Sequence, residues 1–282
     1  MTRRFIGRVT AAALVMALCA ASCASTKSGP PVPQTTEAPP AEIVQESRDL
    51  FNRSFDEQYS SGYWVTRPSR GTIPVVGISG RRNNRNEAIQ AAVADAARKV
   101  ALYHGLYAAS AAVLNQGSGY LDYFADFDYR LTIDNDPSVY TGSLVFDKDD
   151  DVYEKNGSLY VRVKYTGVAD VPAYASVFEN GVPDWVKNYR ADVPGFLTGV
   201  GASRNKGSPQ ATSRASYESA IISLLPELTT KVAGSVHDAA GGKVQQNITT
   251  SQGNLTKVMI LETWFDSKTG SVWTLLVAKE RR

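Results

Sequence analysis

One order of features occurs twice in this chain, about 120 residues apart, and nothing else in it restricts the fold so strongly. A Trp-Val pair leads into a glycine-bearing apolar strand, a polar loop and an alanine-spaced helix. The first occurrence runs from Trp64-Val65 through Ile73-Pro74-Val75-Val76-Gly77-Ile78-Ser79-Gly80 to a helix carrying Ala88, Ala92, Asp95 and Ala97. The second runs from Trp185-Val186 through Phe196-Leu197-Thr198-Gly199-Val200-Gly201-Ala202-Ser203 to Ala211, Ala215, Glu218 and Ala220. The Trp-Val pairs lie 121 residues apart and the helix starts about 123. Preserved order with small drift points to a diverged duplication, against the simpler alternative of two alanine-rich helices alike by chance.

Local chemistry supports both helices. Ser208 is a good N-cap, and Pro209 stands at the first helical position, where its missing N–H costs nothing. Ala211, Ala215, Ile222 and Leu225 then share a face, with Pro226 as a kink. In the first copy Ile89, Ala92, Val93, Ala96 and Val100 form the stripe, after the polar run Arg81 to Asn86. Residues Tyr123, Ala125, Phe127, Tyr129, Leu131 and Ile133 alternate with mainly polar neighbours, as in a strand buried on one side. Asn156-Gly157 marks a turn before Leu159, Val161, Val163 and Tyr165. Lys257 to Phe265 and Val272 to Ala278 flank a five-residue hairpin loop, Asp266 to Gly270. The expected fold is α+β, with two tandem related modules at roughly 60–170 and 171–282. Each should be a long helix packed on a small, mainly antiparallel sheet.

The first 59 residues read differently. Arg3, Arg4 and Arg8 precede a ten-residue apolar run, Val9 to Leu18, and the small residues Ala20-Ala21-Ser22 stand before Cys23. This is the pattern of a cleaved export signal over 1–22, and small residues immediately before a cysteine resemble the lipobox of bacterial lipoproteins, which implies Cys23 as the lipidated residue. The apolar run is shorter than the roughly 20 residues a spanning helix needs. Residues 23–42 hold five prolines among Ser, Thr and Gly and should form an extended tether. Over 43–59, Ile43, Leu50, Phe51 and Phe55 lie among charges and suggest a lead-in helix. The leader holds three basic and no acidic residues, which leaves 27 basic against 28 acidic, a formal charge of −1. Such a balance gives no footing for nucleic acid. Cys19 and Cys23 are the two cysteines, so the folded part has neither a disulfide nor a thiolate ligand.

The sequence Pro183-Asp184-Trp185-Val186, the strand through Gly199-Val200-Gly201 and the helix from Ser208 resemble the bacterial Lpp-twenty lipoprotein family. The closing pair Leu261-Glu262-Thr263-Trp264-Phe265-Asp266 and Gly270-Ser271-Val272-Trp273-Thr274-Leu275-Leu276 is similar to that family's last strands. The likeness covers about 100 residues of the second copy; in the first, Trp64 lacks the preceding Pro-Asp. A related module occurs in the N-terminal part of the flagellar assembly protein T family. The resemblance implies an envelope location and structural or adhesive roles, and carries over no catalytic residue.

A search for chemistry meets near misses. His104 and His237 each fall near the expected end of a helix, where a cation is favoured. Gly199-Val200-Gly201 lacks the third glycine of a dinucleotide fingerprint, since Arg204 stands there, and fits close helix–sheet packing instead. Asp147, Asp149 and Asp151 have calcium-loop spacing, but Val152 replaces the turn glycine and Ser158 the bidentate glutamate. The four tryptophans, Trp64, Trp185, Trp264 and Trp273, read as core. Tyr120, Tyr123, Phe124, Phe127 and Tyr129 put aromatics on both faces of one strand, a candidate binding surface. No metal, cofactor or catalytic residue is expected.

The expectation is therefore a lipid-anchored envelope protein that is not an enzyme and serves as an assembly, structural or adhesion module. Its partners would be the bilayer, through acylated Cys23, and an envelope protein or peptidoglycan. Ala24 and Ser25 after the cysteine favour the outer membrane, facing the periplasm. The alternative is a small-ligand carrier or a hydrolase of envelope polymers, which would need two carboxylates facing each other in a pocket.

Overall fold

The computed structural model describes residues 63–65, 71–117, 126–167, 174–239 and 242–281, with Asp170 and Pro172. The signal segment, Cys23, the tether, the lead-in segment 43–59 and Tyr120, Tyr123 and Phe124 lie outside these residues. The chain is α+β, with few helices and sheets whose described pairings are all antiparallel.

The first half runs β1 (Tyr63–Val65), β2 (Thr72–Ser79), α1 (Arg85–His104), β3 (Leu106–Gly117), β4 (Asp126–Ile133), a 3₁₀ segment (Pro137–Ser143), β5 (Leu144–Val145), β6 (Val152–Lys155) and β7 (Ser158–Thr166). The second runs β8 (Phe178–Glu179), β9 (Val182–Pro183), α2 (Asp184–Asn188), β10 (Leu197–Arg204), α3 (Pro209–Leu224), a 3₁₀ turn (Leu225–Glu227), β11 (Thr229–Ala239), β12 (Gly242–Asp266) and β13 (Ser271–Glu280).

Both long helices are capped by short polar side chains. The Asn84 side-chain oxygen accepts from the Glu87 amide at 2.8 Å, which satisfies one orphan helix donor, and the Asn84 side-chain NH2 donates to the Glu87 carboxylate at 2.7 Å. Ser208 Oγ accepts from the Ala211 amide at 3.2 Å, with Pro209 opening α3. α3 stops at Leu224 because Pro226 cannot continue the backbone ladder, and the chain tightens into a 3₁₀ turn. The β-branched pair Thr229-Thr230 then starts a strand, so His237 lies in β11 and not at a helix end as its position suggested.

β2, β5, β6 and β7 make one sheet, with β7 in the centre. The Asn156-Gly157 turn that joins β6 to β7 has both residues at positive φ, 54° and 74°, as a tight hairpin turn requires. The larger sheet has the order β10-β13-β12-β3-β4, with β1 and β11 also paired to β12. β12 is its spine. Leu255 pairs with both Leu106 of β3 and Glu280 of β13, so those strands flank it on opposite sides. The pairing slips between Thr256 and Met259 and again between Ile260 and Glu262. At the first slip Lys257 adopts φ 53°, which is uncommon for a side chain with a Cβ, and Asp170 pairs with its ammonium. Strands from either side of residue 170 thus share one sheet.

α1 packs on β2 and β7, and α3 on β10 and β13. Leu275 and Val277 belong to the core around α1 and Trp185, whereas Leu276 and Ala278 belong to the core under α3. A strand apolar on both faces sits between two packed layers. The helices lie close enough for glycine to be required. A Cβ on Gly77 would come 1.9 Å from the Ala92 carbonyl oxygen, and one on Gly201 would come 2.1 Å from the Ala220 amide and 2.4 Å from the Ser216 carbonyl oxygen. These contacts recur at one spacing, 124 positions: Gly77 to Gly201, Ala92 to Ser216, Ala96 to Ala220, and the caps Asn84 to Ser208.

Candidate functional site

Three ionisable clusters stand out in the body, two of them buried and the third in an exposed loop. On α1, Asp95 and Lys99 are one turn apart, with side chains 5% and 6% exposed. Lys99 Nζ donates to Asp95 Oδ2 at 2.8 Å and to the Val76 carbonyl at 2.6 Å. Asp95 also accepts from the Ile78 amide at 3.0 Å, so the pair stitches α1 to β2. The ammonium lies 5.8 Å from the centre of the Tyr217 ring of α3. Burial raises the Tyr217 phenol above its ordinary range, with the Asp95 carboxylate adding to the effect.

The second cluster is centred on Glu262 of β12, which is 1% exposed. Its Oε2 accepts from Trp185 Nε1 at 2.6 Å and from Ser176 Oγ. Tyr174 stands beside them, and its phenol is raised by burial and then by the Glu262 carboxylate. Asp184 opens α2 next to Trp185, and loss of water raises its carboxyl group above the ordinary range. The segment 174–186 is thereby pinned to the middle of the large sheet by a carboxylate that shares its donors.

The third cluster lies in the acidic loop. Asp147 Oδ1 accepts from the amides of Asp149 and Asp150 at 2.8 and 3.2 Å, which holds its carboxyl below the usual range. Asp151 Oδ2 accepts from the Asp147 amide at 2.9 Å, and its Oδ1 pairs with Arg162 at 2.7 Å. These carboxylates are directed at their own loop and at β7. Among the described residues no group of three or more His, Cys, Asp and Glu is arranged to hold a metal ion.

His104 ends α1 in a nest of tyrosines. Its Nε2 lies 2.6 Å from Tyr165 Oη, and its ring stacks on Tyr140 at 4.6 Å. Burial lowers its pKa below 6.5, so the neutral ring is favoured rather than the helix-end cation the sequence suggested.

Of the aromatic surface candidates, Phe127 lies in β4, paired in the backbone with Ala112, and Tyr129 is 44% exposed. Tyr129 Oη donates to Glu218 Oε2 at 3.2 Å, and Glu218 also pairs with Arg214 and with Arg98. The ring therefore ties β4 to α3. Trp185 is fully buried, and Trp264 and Trp273 pack partly exposed against the same core.

A cavity of about 30 Å³, room for about two waters, lies between β2, α1, α3 and β12. Val76, Val100, Met259 and Leu276 line it together with Lys99 and Tyr217, and no carboxylate is in its wall. Asp95 and Lys99 stand four positions apart on one helix, a local signal by which the pair could have been found. No such signal marks Glu262 with Trp185, 77 positions apart, or His104 with Tyr165. No protein family, curated protein or solved structure matches the chain.

Proposed function

We propose that this chain is a lipid-anchored protein of the bacterial cell envelope, acting as a non-enzymatic assembly, structural or adhesion module. The observation that carries the reading is the run from Val9 to Leu18, then Ala20-Ala21-Ser22-Cys23, then the proline-rich tether. We further infer that the body arose by duplication of one α+β unit related to the Lpp-twenty module. The 124-residue spacing of caps, glycines and facing helix residues supports it. Acylation at Cys23 would hold the protein on the outer membrane, with the body facing the periplasm. One acyl chain contributes about 0.8 kcal/mol per buried methylene and binds only marginally, so permanent attachment needs a second.

Cys23→Ser tests the anchor. The variant should lose its lipid and either leave the membrane fraction or stall as uncleaved precursor. If it matures and sediments with membranes like the parent, the reading is wrong. Crosslinking in intact envelopes followed by capture should return one reproducible envelope component, and failure across growth conditions would count against the assembly role.

A further inference from the structure

The hairpin end of the large sheet carries an aromatic surface far from β4. Trp264 and Trp273 face each other across β12 and β13, and Tyr63 pairs in the backbone with Trp264 on the other side. Cross-strand partners point to one face, so the rings of Trp264 and Trp273 lie side by side on the sheet there. Tyr189 packs edge-on against Trp273 at 5.3 Å, is 59% exposed and holds φ 52°, a backbone conformation uncommon for a side chain of its size. Arg190, Arg204 and Lys268 are exposed around this end, against Asp192 and Asp266, which leaves it net basic.

We propose that the amphipathic segment 43–59 of the same chain docks on this surface, with Leu50, Phe51 and Phe55 against Trp273 and Tyr189. Three observations point there. The chain enters the described body at Tyr63, whose backbone pairs with Trp264. Phe55 lies eight positions before Tyr63 and so no more than about 27 Å from it, which raises its effective concentration at the patch to the millimolar range. The segment carries Glu46, Asp49, Asp56 and Glu57 against Arg48 and Arg53, a charge of −2 that complements the basic rim. A bilayer fits less well, because the polar loop Ser267 to Gly270 lies beyond Trp264 and Trp273 and would enter the headgroups first.

Docking of 43–59 does not depend on the lipid anchor, so its test uses mature chain bearing Cys23→Ser, which has no cysteine of its own. The pair Phe55→Cys with Tyr189→Cys should form a disulfide within the monomer at least tenfold faster than Thr36→Cys with Tyr189→Cys. Adding Leu50→Asp and Phe51→Asp should remove that advantage, and hydrogen exchange should show protection of 43–59 in the parent alone. Equal rates for the two pairs would overturn the proposal, as would a disulfide formed between two chains. Protection that appears only with phosphatidylglycerol vesicles would overturn it in favour of a membrane contact.

Discussion

The Glu262 carboxyl group lies in the middle of a sheet, where Trp185 and Ser176 supply donors that water cannot. Removing one donor leaves a buried acceptor under-satisfied, which costs about 1–3 kcal/mol. Trp185→Phe keeps most of the ring's bulk and should lower unfolding stability by about 2 kcal/mol. Glu262→Ala strands two buried donors and opens a cavity, and should cost about 3–4 kcal/mol. Glu262→Gln keeps an acceptor and should cost less than either. Urea midpoints at constant m-value would rank the three, and an equal loss for Gln and Ala would show that the hydrogen bonds contribute little. His104 makes a separate claim about pH. Its folded pKa is depressed below 6.5 by burial, so the unfolded chain takes up the proton first as pH falls. Its contribution is complete above 6.5 and is lost as pH drops through the lower folded value. Thermal midpoints should therefore fall more between pH 7.5 and 5 in the parent than in His104→Gln.

At the level of elements, helix–sheet distance is set by glycine. Gly77→Ala and Gly201→Ala each drive a methyl into backbone that cannot move alone, and each should destabilise by about 2–3 kcal/mol. Gly80→Ala meets nothing within 4 Å and should be close to neutral, which serves as the control. If all three variants unfold at the parental urea concentration, the close approach is not maintained in solution. Gly201 was legible in the sequence as a close-packing residue, as were both helices and the hairpins at Asn156-Gly157 and Asp266 to Gly270, because caps, turns and periodicity are local signals. β3 was not. Its Leu106-Tyr107-Ala108-Ala109-Ser110-Ala111-Ala112 is built from residues that favour helix, and only pairing with β4 and β12 makes it a strand. Only the last third of β12 was visible for the same reason, since Gln245 to Gln252 lacks the apolar alternation of a half-buried strand. The cluster at Glu262 was hidden because its members meet only after the sheet has formed.

For the whole molecule, the shared sheet means that neither half is complete without the other. Residues 60–170 alone would leave β3 without β12, and residues 171–282 alone would leave one edge of β12 bare from Val244 to Leu255. Arg98 with Glu218 and Asp170 with Lys257 and Lys279 would be cut as well. Each fragment expressed separately should lack a cooperative thermal transition and a near-ultraviolet dichroism signal, and mixing the two should restore both. A sharp transition in either fragment alone would show an autonomous domain. The central position of β12 also imposes a timetable. Leu106 of β3 waits for Leu255, 149 residues later, before its second edge is covered. A chain made from its N-terminus onward therefore carries an open strand edge through most of its synthesis, and such edges recruit the wrong neighbours. The last strands added are the ones that end that exposure, so a truncation near the C-terminus should be more prone to aggregate than one of equal length at the start.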